Sequence, residues 1–446
     1  MRELRVSIDS DVVGVLSEGD GLWQFTYESA WVDAPMGFDL APGLPRSKEP
    51  IVDAGTLRPV QWFFDNLLPE ELLRQALEKE AGLQGDDAFA LIQYLGAESA
   101  GSLTLLPPQQ AFPGTGDLRP LSDEDLSKRL AQLPRRTLTA DAPKRMSLAG
   151  AQHKLLVHLG KGQLFEPVGA TPSTHILKPS HPAADDYPAS VLNEYLTMRL
   201  AKAAGLEVPR VDLRYVPEPV YIIERFDRVV ASAGRGRASA LPALNARRLH
   251  IIDACQLLNK ARNFKFSGAT LASLQDVINA TTNKASTRTR LFRWLAFNAL
   301  VANNDCHLKN LSFHVNHEGI ELAPHYDLLA TGAYYTKAVA DDDATWPHVK
   351  LAIPLPDAEF LSDVTRAKLL AAGEALGVPV EVSERILDQV LVRVMAAFKI
   401  ERELAAQRAA QIPEGGRLHL ASDDRLLRVL EHIVLPEMRA RLAAAS

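Results

Sequence analysis

The sequence predicts an α+β protein in two lobes, a mixed α/β first part followed by a mostly helical remainder. Three observations predict it. Up to about residue 230, short runs alternate apolar and polar residues, the period of half-buried strands. Beyond that point the apolar residues recur mostly at helical spacing. Within the helical part, one apolar stretch is interrupted by six polar side chains, Asn303, Asn304, Asp305, His307, Lys309 and Asn310, and then resumes. A turn needs one or two such residues.

The elements follow in order. "LRVSIDSDVVGVLS" alternates around a polar turn and predicts a hairpin, with "GLWQFTY" as a further strand. "VQWFFDNLLPEELLRQALEKEAG" reads as one helix, "DDAFALIQYLG" as a shorter one and "GSLTLLP" as a strand. Pro107 to Gly116 is the expected linker, after which Ser122 and Asp125 form a capping box. "HKLLVHL" and "THILKP" are expected strands. "SVLNEYLTMRLAKAAG" is a helix with Ser190 as N-cap and Gly205 at its end. "VDLRYV" and "VYIIERFDRV" are two more strands. In "TRTRLFRWLAFNALV", Leu291, Trp294, Leu295, Asn298 and Ala299 share one helix face. These elements divide the chain at 1–110, 111–240 and 241–446.

Composition bounds the function. The 446 residues hold 47% hydrophobic and 23% charged side chains, ordinary for a globular protein. With 49 Lys+Arg against 55 Asp+Glu the net charge is −6, the wrong sign for a protein whose main work is coating nucleic acid. "GRGRAS" around Arg235 and "EMRARL" near the C-terminus read as solvated loop and helix ends. Only Cys255 and Cys306 are present, which suits a reducing compartment. The N-terminus lacks a signal-peptide core, and no run nears the ~20 apolar residues of a membrane span. A cytoplasmic location, away from the membrane, is the expectation.

The polar cluster carries the chemistry. Asp305 and Asn310 stand in the D-x-x-x-x-N spacing of a protein-kinase catalytic loop. Phosphoryl transfer needs a carboxylate to take the attacking hydroxyl's proton, cations to offset phosphate charge and oxygen ligands for Mg²⁺. Asp305 can do the first, Lys309 and the metal the second, Asn310 part of the third. "LSFHV", "NHEG" and "IELAP" form a hairpin, and "HYDLLA" sets Asp327 at its end, where kinase folds keep the second metal-binding acid. Upstream, Lys178 ends a strand and could reach nucleotide phosphates, with Glu194 on the next helix as its partner. The small-residue loop from Ser147 to Gln152 offers backbone N–H groups to phosphate. "IIERF" falls where the lobes join.

On these residues the sequence resembles the HipA family, serine/threonine kinase toxins of bacterial toxin–antitoxin operons. The likeness rests on "SLAGAQHK" (147–154), "THILK" (174–178), "NEY" (193–195), "ERFDR" (224–228), "NDCHLKN" (304–310) and "HYDLLA" (325–330). "FFDNLLPE" (63–70) and "LGAESAGSLTLLP" (95–107) look like the family's N-terminal region. The resemblance implies a bilobed protein-kinase-like fold with an extra N-terminal subdomain, ATP and Mg²⁺ as cofactors, and phosphorylation of a protein serine. The implied target is an aminoacyl-tRNA synthetase. The implied partner is a small helix-turn-helix antitoxin resembling HipB, through which alone the chain meets DNA.

By the same resemblance Asp305 is the catalytic base, and Asn310 and Asp327 bind magnesium. Ala149, Gly150, Ala151, Gln152 and Lys154 lie over the phosphates, with Lys178, His307 and Lys309 also contacting ATP. Glu224 and Phe226 sit at the adenine, and Ser147 matches the serine the family autophosphorylates. His153 stands where a glutamate is expected.

Blander readings stand beside these. Asp305 and Asn310 can merely turn a loop, Lys178 can be a solvated strand end, and any surface helix offers a glutamate like Glu194. His307 can orient Asp305 or simply lie at the surface. Cys306 reads as a bystander, because His307 is adjacent in sequence rather than opposed in space. Trp62, Phe63 and Phe64 read as core. Two other functions fit parts of the pattern: a small-molecule kinase of the same fold, and a non-enzymatic corepressor acting with an antitoxin.

Overall fold

Arg2–Ile8 (β1) and Asp11–Gly19 (β2) form the expected antiparallel hairpin, with Leu4, Val6, Val13 and Leu16 buried on its inner face. Leu22–Tyr27 (β3) pairs with β2 and the short Ile51–Val52 (β4) with β3. Leu103–Leu106 (β5) closes the other side against β1, giving the order β4-β3-β2-β1-β5. The computed structural model describes residues 1–83, 85–112, 116–146, 149–230 and 246–443. Ser147 and the basic stretch around Arg235 lie outside them, as does part of the Pro107–Gly116 linker.

The chain divides into two compact units. The first comprises Met1–Lys178, Ile223–Arg262 and Ser312–Ala323, the second Pro179–Ile222, Asn263–Leu311 and Pro324–Ser446. Besides the five-stranded sheet, the first unit holds Asp117–Leu121 (β6), Leu155–Gly160 (β7), Gln163–Val168 (β8) and His175–Pro179 (β9). These pair antiparallel, β6 with β8, β8 with β7 and β7 with β9. A three-stranded sheet of Ile251–Asp253, Ser312–Asn316 and Gly319–Leu322 contains the hairpin predicted after Asn310.

The second unit is mostly helical. Lys284–Val301 is its central helix, and Leu291, Trp294, Leu295, Asn298 and Ala299 are all buried as their shared face predicts. Phe292, Ala296 and Phe297 are buried too, so the second half of this helix is enclosed on every side. It packs against the long helix Val380–Ala409, which also packs against Ser190–Ala203. The mixed α/β first part and helical remainder are thus as the sequence predicts. Among the described residues no helix is long and apolar enough to cross a membrane.

Several local expectations are corrected. The long helix expected from Val60 is two, Pro59–Asp65 and Glu71–Glu80. Pro69 explains the break: it has no N–H to donate and drives Leu68 out of helical geometry. Ser190 is not the N-cap of its helix. Ala189 takes that place with left-handed φ of 53°, and the Ser190 hydroxyl accepts from His181 N–H instead. At the other end Gly205, with φ of 88°, makes the expected stop, its successor Leu206 bonding back to the Ala201 carbonyl. β6 and β8 were not expected. Pro120 and Pro167 weaken their alternation, and pairing across the sheet overrides it. The run "VYIIERFDRV" is two strands, Pro219–Glu224 and Arg228–Val230.

The break between those strands is occupied by charge. Glu98, fully buried, accepts from Lys144 Nζ at 2.8 Å, Ser173 Oγ at 2.7 Å and Arg228 at 3.1 Å, with Arg225 at 3.4 Å. Arg225 and Asp227 pair at 2.6 Å, and Asp227 also accepts from Gly101 N–H at 2.8 Å. Burial pushes the Glu98 carboxyl up, but Lys144, Arg228, Arg248 and Arg225 outweigh it and hold it well below the usual carboxylate range. Asp227 is likewise held at about 2 against its burial, by Arg225 and Arg228. Replacing Glu98→Gln keeps the shape and leaves buried cations unmatched. It should lower the free energy of urea unfolding by about 3–5 kcal/mol.

Candidate active site

The interrupted helix ends at Val301, followed by Ala302 in the left-handed conformation with φ of 55°. The amides then build the loop. Asn303 Nδ2 donates to Asn298 Oδ1 at 2.9 Å, and Asn303 Oδ1 accepts the Asp305 N–H at 3.0 Å. Asn310 Nδ2 donates to the Asp305 carbonyl at 2.8 Å, which also accepts from His307 N–H at 2.9 Å. The loop's backbone polar groups are thereby satisfied without the chain turning regular. The Asp305 carboxylate is left about half exposed at its crest, while Asn310 is buried beneath.

The segment around Asp327 is stitched to this loop on both sides. Before it, Tyr326 OH donates to the Lys309 carbonyl at 2.7 Å. After it, the Thr331 hydroxyl accepts Asn304 N–H at 2.7 Å, and Gly332 N–H donates to the Ala302 carbonyl at 2.8 Å. Asp327 itself has left-handed φ of 56°, a conformation that costs a non-glycine residue energy and concentrates at functional sites. Asn193 secures the same segment from the helix Ser190–Ala203. Its Oδ1 accepts Ala330 N–H at 2.8 Å, and its Nδ2 donates to the Ala330 carbonyl at 3.2 Å and to Tyr334 OH at 3.0 Å.

Glu194, next in sequence to Asn193, is buried. Burial pushes the Tyr221 hydroxyl well above its ordinary range, and the carboxylates of Glu194 and Asp327 push it further in the same direction. His307 Nε2 stands 4.0 Å from Asp305 Oδ1, and its ring meets Phe266 edge-on at 4.8 Å. Cys306 is buried, and burial with the Asp305 charge pushes its thiol up to about 12. It is held protonated, unlike an activated nucleophile.

Lys309 is buried in the same loop of the second unit, and the other remaining predicted residues within the described ranges belong to the first unit. Lys178 is buried at the end of β9. Glu224 is exposed at the end of its strand, and the Phe226 ring packs edge-on to His314 at 5.9 Å. Of the small-residue loop, Ala149, Gly150, Ala151 and Gln152 are partly or fully exposed, and Lys154 Nζ donates to the Ala149 carbonyl. Gly150 has φ of 106°, and a Cβ there would come within 2.6 Å of Lys154 Nζ. His153 is buried, which lowers its pKa and favours the neutral ring.

Chemically, the second unit offers a half-exposed carboxylate on a fixed loop, beside an amide and an acid on a segment bonded to that loop. Hard oxygen ligands of this kind suit Mg²⁺, which binds through one or two carboxylates together with phosphate oxygens and water.

Family comparison settles the kinship. Residues 4–106 match the model of the HipA N-terminal domain, and residues 146–398 match that of the HipA-like C-terminal domain. The chain belongs to the HipA family. A relative from Sinorhizobium fredii, the putative kinase Y4mE, is 34% identical over 75% of this chain and 78% of its own length. The serine/threonine-protein kinase toxin HipA of Shewanella oneidensis is 31% identical over 69% of this chain and 70% of its own. A solved Shewanella HipA, in complex with HipB and operator DNA, matches with a TM-score of 0.74 and 26% identity, covering 98% of this chain and 99% of that one. The likeness carries the bilobed, kinase-like HipA architecture and the general kinase activity of the HipA toxins.

Asn193, Asn303, Thr331 and Tyr326 were missed as site residues. "NEY" did carry Asn193, but nothing local distinguishes an amide that pins a distant backbone from one at a helix surface. Replacing Asn193→Ala strands the Ala330 N–H and carbonyl in a buried setting. It should cost about 2–4 kcal/mol in chemical unfolding, on the order of 1–3 kcal/mol per stranded group.

Proposed function

We propose that this chain is an ATP- and Mg²⁺-dependent protein serine/threonine kinase that arrests growth as a toxin and is neutralised by a small helix-turn-helix antitoxin. The observation that carries the reading is the double attachment of the Asp327 segment to the Asp305–Asn310 loop, through Tyr326 on one side and Thr331 with Gly332 on the other. Family kinship supports it.

In this reading the acceptor serine's Oγ attacks the γ-phosphorus, its proton passes to the Asp305 carboxylate, and the bond to the β-phosphate oxygen breaks to release ADP. Asp327 and Asn310 would hold the magnesium, which offsets charge on the phosphate oxygens. Lys309 would add a positive charge, and His307 would steady Asp305 or meet the nucleotide. Lys178, partnered by Glu194, would bind the inner phosphates. Ala149, Gly150, Ala151, Gln152 and Lys154 would cover them, with Glu224 and Phe226 at the adenine. The proposed target is an aminoacyl-tRNA synthetase. The relative solved with HipB and operator DNA supports a HipB-like partner, and the net charge of −6 supports DNA contact borne by that partner.

Asp305→Asn should lower phosphate transfer from labelled ATP by about 10²–10⁴-fold, the contribution typical of a general base, without changing the thermal midpoint. Label confined to small metabolites would favour the small-molecule kinase. Equal growth inhibition by wild type and this variant would remove the kinase mechanism, and inhibition by neither would favour the corepressor. Ser147 carries a second expectation. A phosphoserine there brings about −1.5 to −2 charges beside the nucleotide phosphates and repels them. Ser147→Ala should therefore stay active longer than wild type in a time course with ATP, and loss of nucleotide binding would instead make the serine a structural loop residue.

A further inference from the structure

Lys144 and Arg145 immediately precede the residues matched by the C-terminal family model, in the stretch that neither family model covers. Both are tied to the N-terminal region. Arg145 donates to Glu80 Oε1 at 2.7 Å and lies over the Tyr94 ring at 4.9 Å. Tyr94 OH donates to the same oxygen at 3.3 Å, and the Thr137 hydroxyl donates to the other one. Lys144 reaches Glu98 at 2.8 Å.

Glu80 is the last residue of the helix Glu71–Glu80. The other end of that helix meets the far side of the same loop. Glu70, its N-cap, donates its N–H to the Gly150 carbonyl at 3.1 Å, and Pro69 bridges Gly150 in parallel. A ten-residue helix is about 15 Å long. One rigid element therefore holds the chain before the loop, at Arg145, and within it, at Gly150.

We propose that the helix Glu71–Glu80 braces the phosphate loop, with Glu80 and Arg145 as positioning residues for nucleotide binding. The nucleotide part rests on the function proposed above. A loop fixed before its ligand arrives loses less freedom on binding, so the brace acts on affinity. The side chains of Arg145 and Glu80 are 38% and 21% exposed, and pairs in such settings add little to global stability. Position, rather than stability, is what their loss should change.

The test uses the full chain with Glu80→Gln, Arg145→Gln, and the exchanged pair Glu80→Arg with Arg145→Glu. Without nucleotide, amide exchange across residues 149–155 should quicken about tenfold in each single variant, with the thermal midpoint moving by less than about 2 °C. The calorimetric Kd for MgATP should rise by about tenfold in the single variants and partly recover in the exchanged pair. Unchanged exchange in both single variants overturns the brace, as does unchanged affinity in them or failure of the exchanged pair to recover any. Failure of the wild type to bind MgATP overturns the kinase reading instead, since exchange reports the brace without nucleotide.

Discussion

The first unit is organised around one buried carboxylate. Glu98 gathers four stretches that are apart in sequence: its own, between the helix Ala88–Leu95 and β5; Lys144, before β7; Ser173, before β9; and Arg225 with Arg228. Carrying an ionised acid out of water costs several kcal/mol, and an apolar cluster of equal volume would often hold the segments as firmly. Charge makes the arrangement directional. Lys144 holds one carboxylate oxygen while Ser173, Arg225 and Arg228 share the other, so the segments that carry them are fixed against Glu98 in a defined orientation. The Arg225 N–H bonded to the Thr174 carbonyl at 2.9 Å extends that arrangement along the backbone beside β9, the strand that carries Lys178.

The second unit solves a different problem with neutral groups. The Asp305 carboxylate has to stand out of a core lined by Trp294, Phe297 and Leu308, and the backbone that carries it cannot be left unbonded there. Asparagine suits the task because one side chain both donates and accepts. Asn303 and Asn310 use their amides as partners for the Asp305 N–H and carbonyl, Asn298 steadies Asn303 through its Oδ1, and Asn193 bonds the backbone of the segment after Asp327. Most of the polar residues that interrupt the apolar run are thus scaffold, and the acid is what the scaffold presents.

Elements governed by near neighbours were legible in the sequence. The β1–β2 hairpin, the face of Lys284–Val301 and the stop at Gly205 follow from period and local conformation, as does the Ser122 cap, whose hydroxyl accepts the Asp125 N–H. The reach of Pro69 was underestimated because an apolar run on both sides hid the break. β8 was hidden since its partners β6 and β7 lie on either side of it in the sheet rather than in its own pattern. In the candidate site, the acid and amide spacing singled out Asp305 and Asn310. The Asn193–Ala330 bond, spanning 137 residues, and the Glu98–Arg228 contact, spanning 130, leave no periodic trace. Only family motifs placed those residues on the page, without saying what they touch.

The order of segments in the two units has an outcome for anyone who would dissect this protein. The chain changes unit after residues 178, 222, 262, 311 and 323, the last visit to the first unit being the twelve-residue hairpin Ser312–Ala323. No single truncation can therefore release either unit whole and unaccompanied. A fragment ending at residue 178 forfeits five described strands that belong with it, and one beginning at 263 forfeits the helix that bears Asn193 and Glu194.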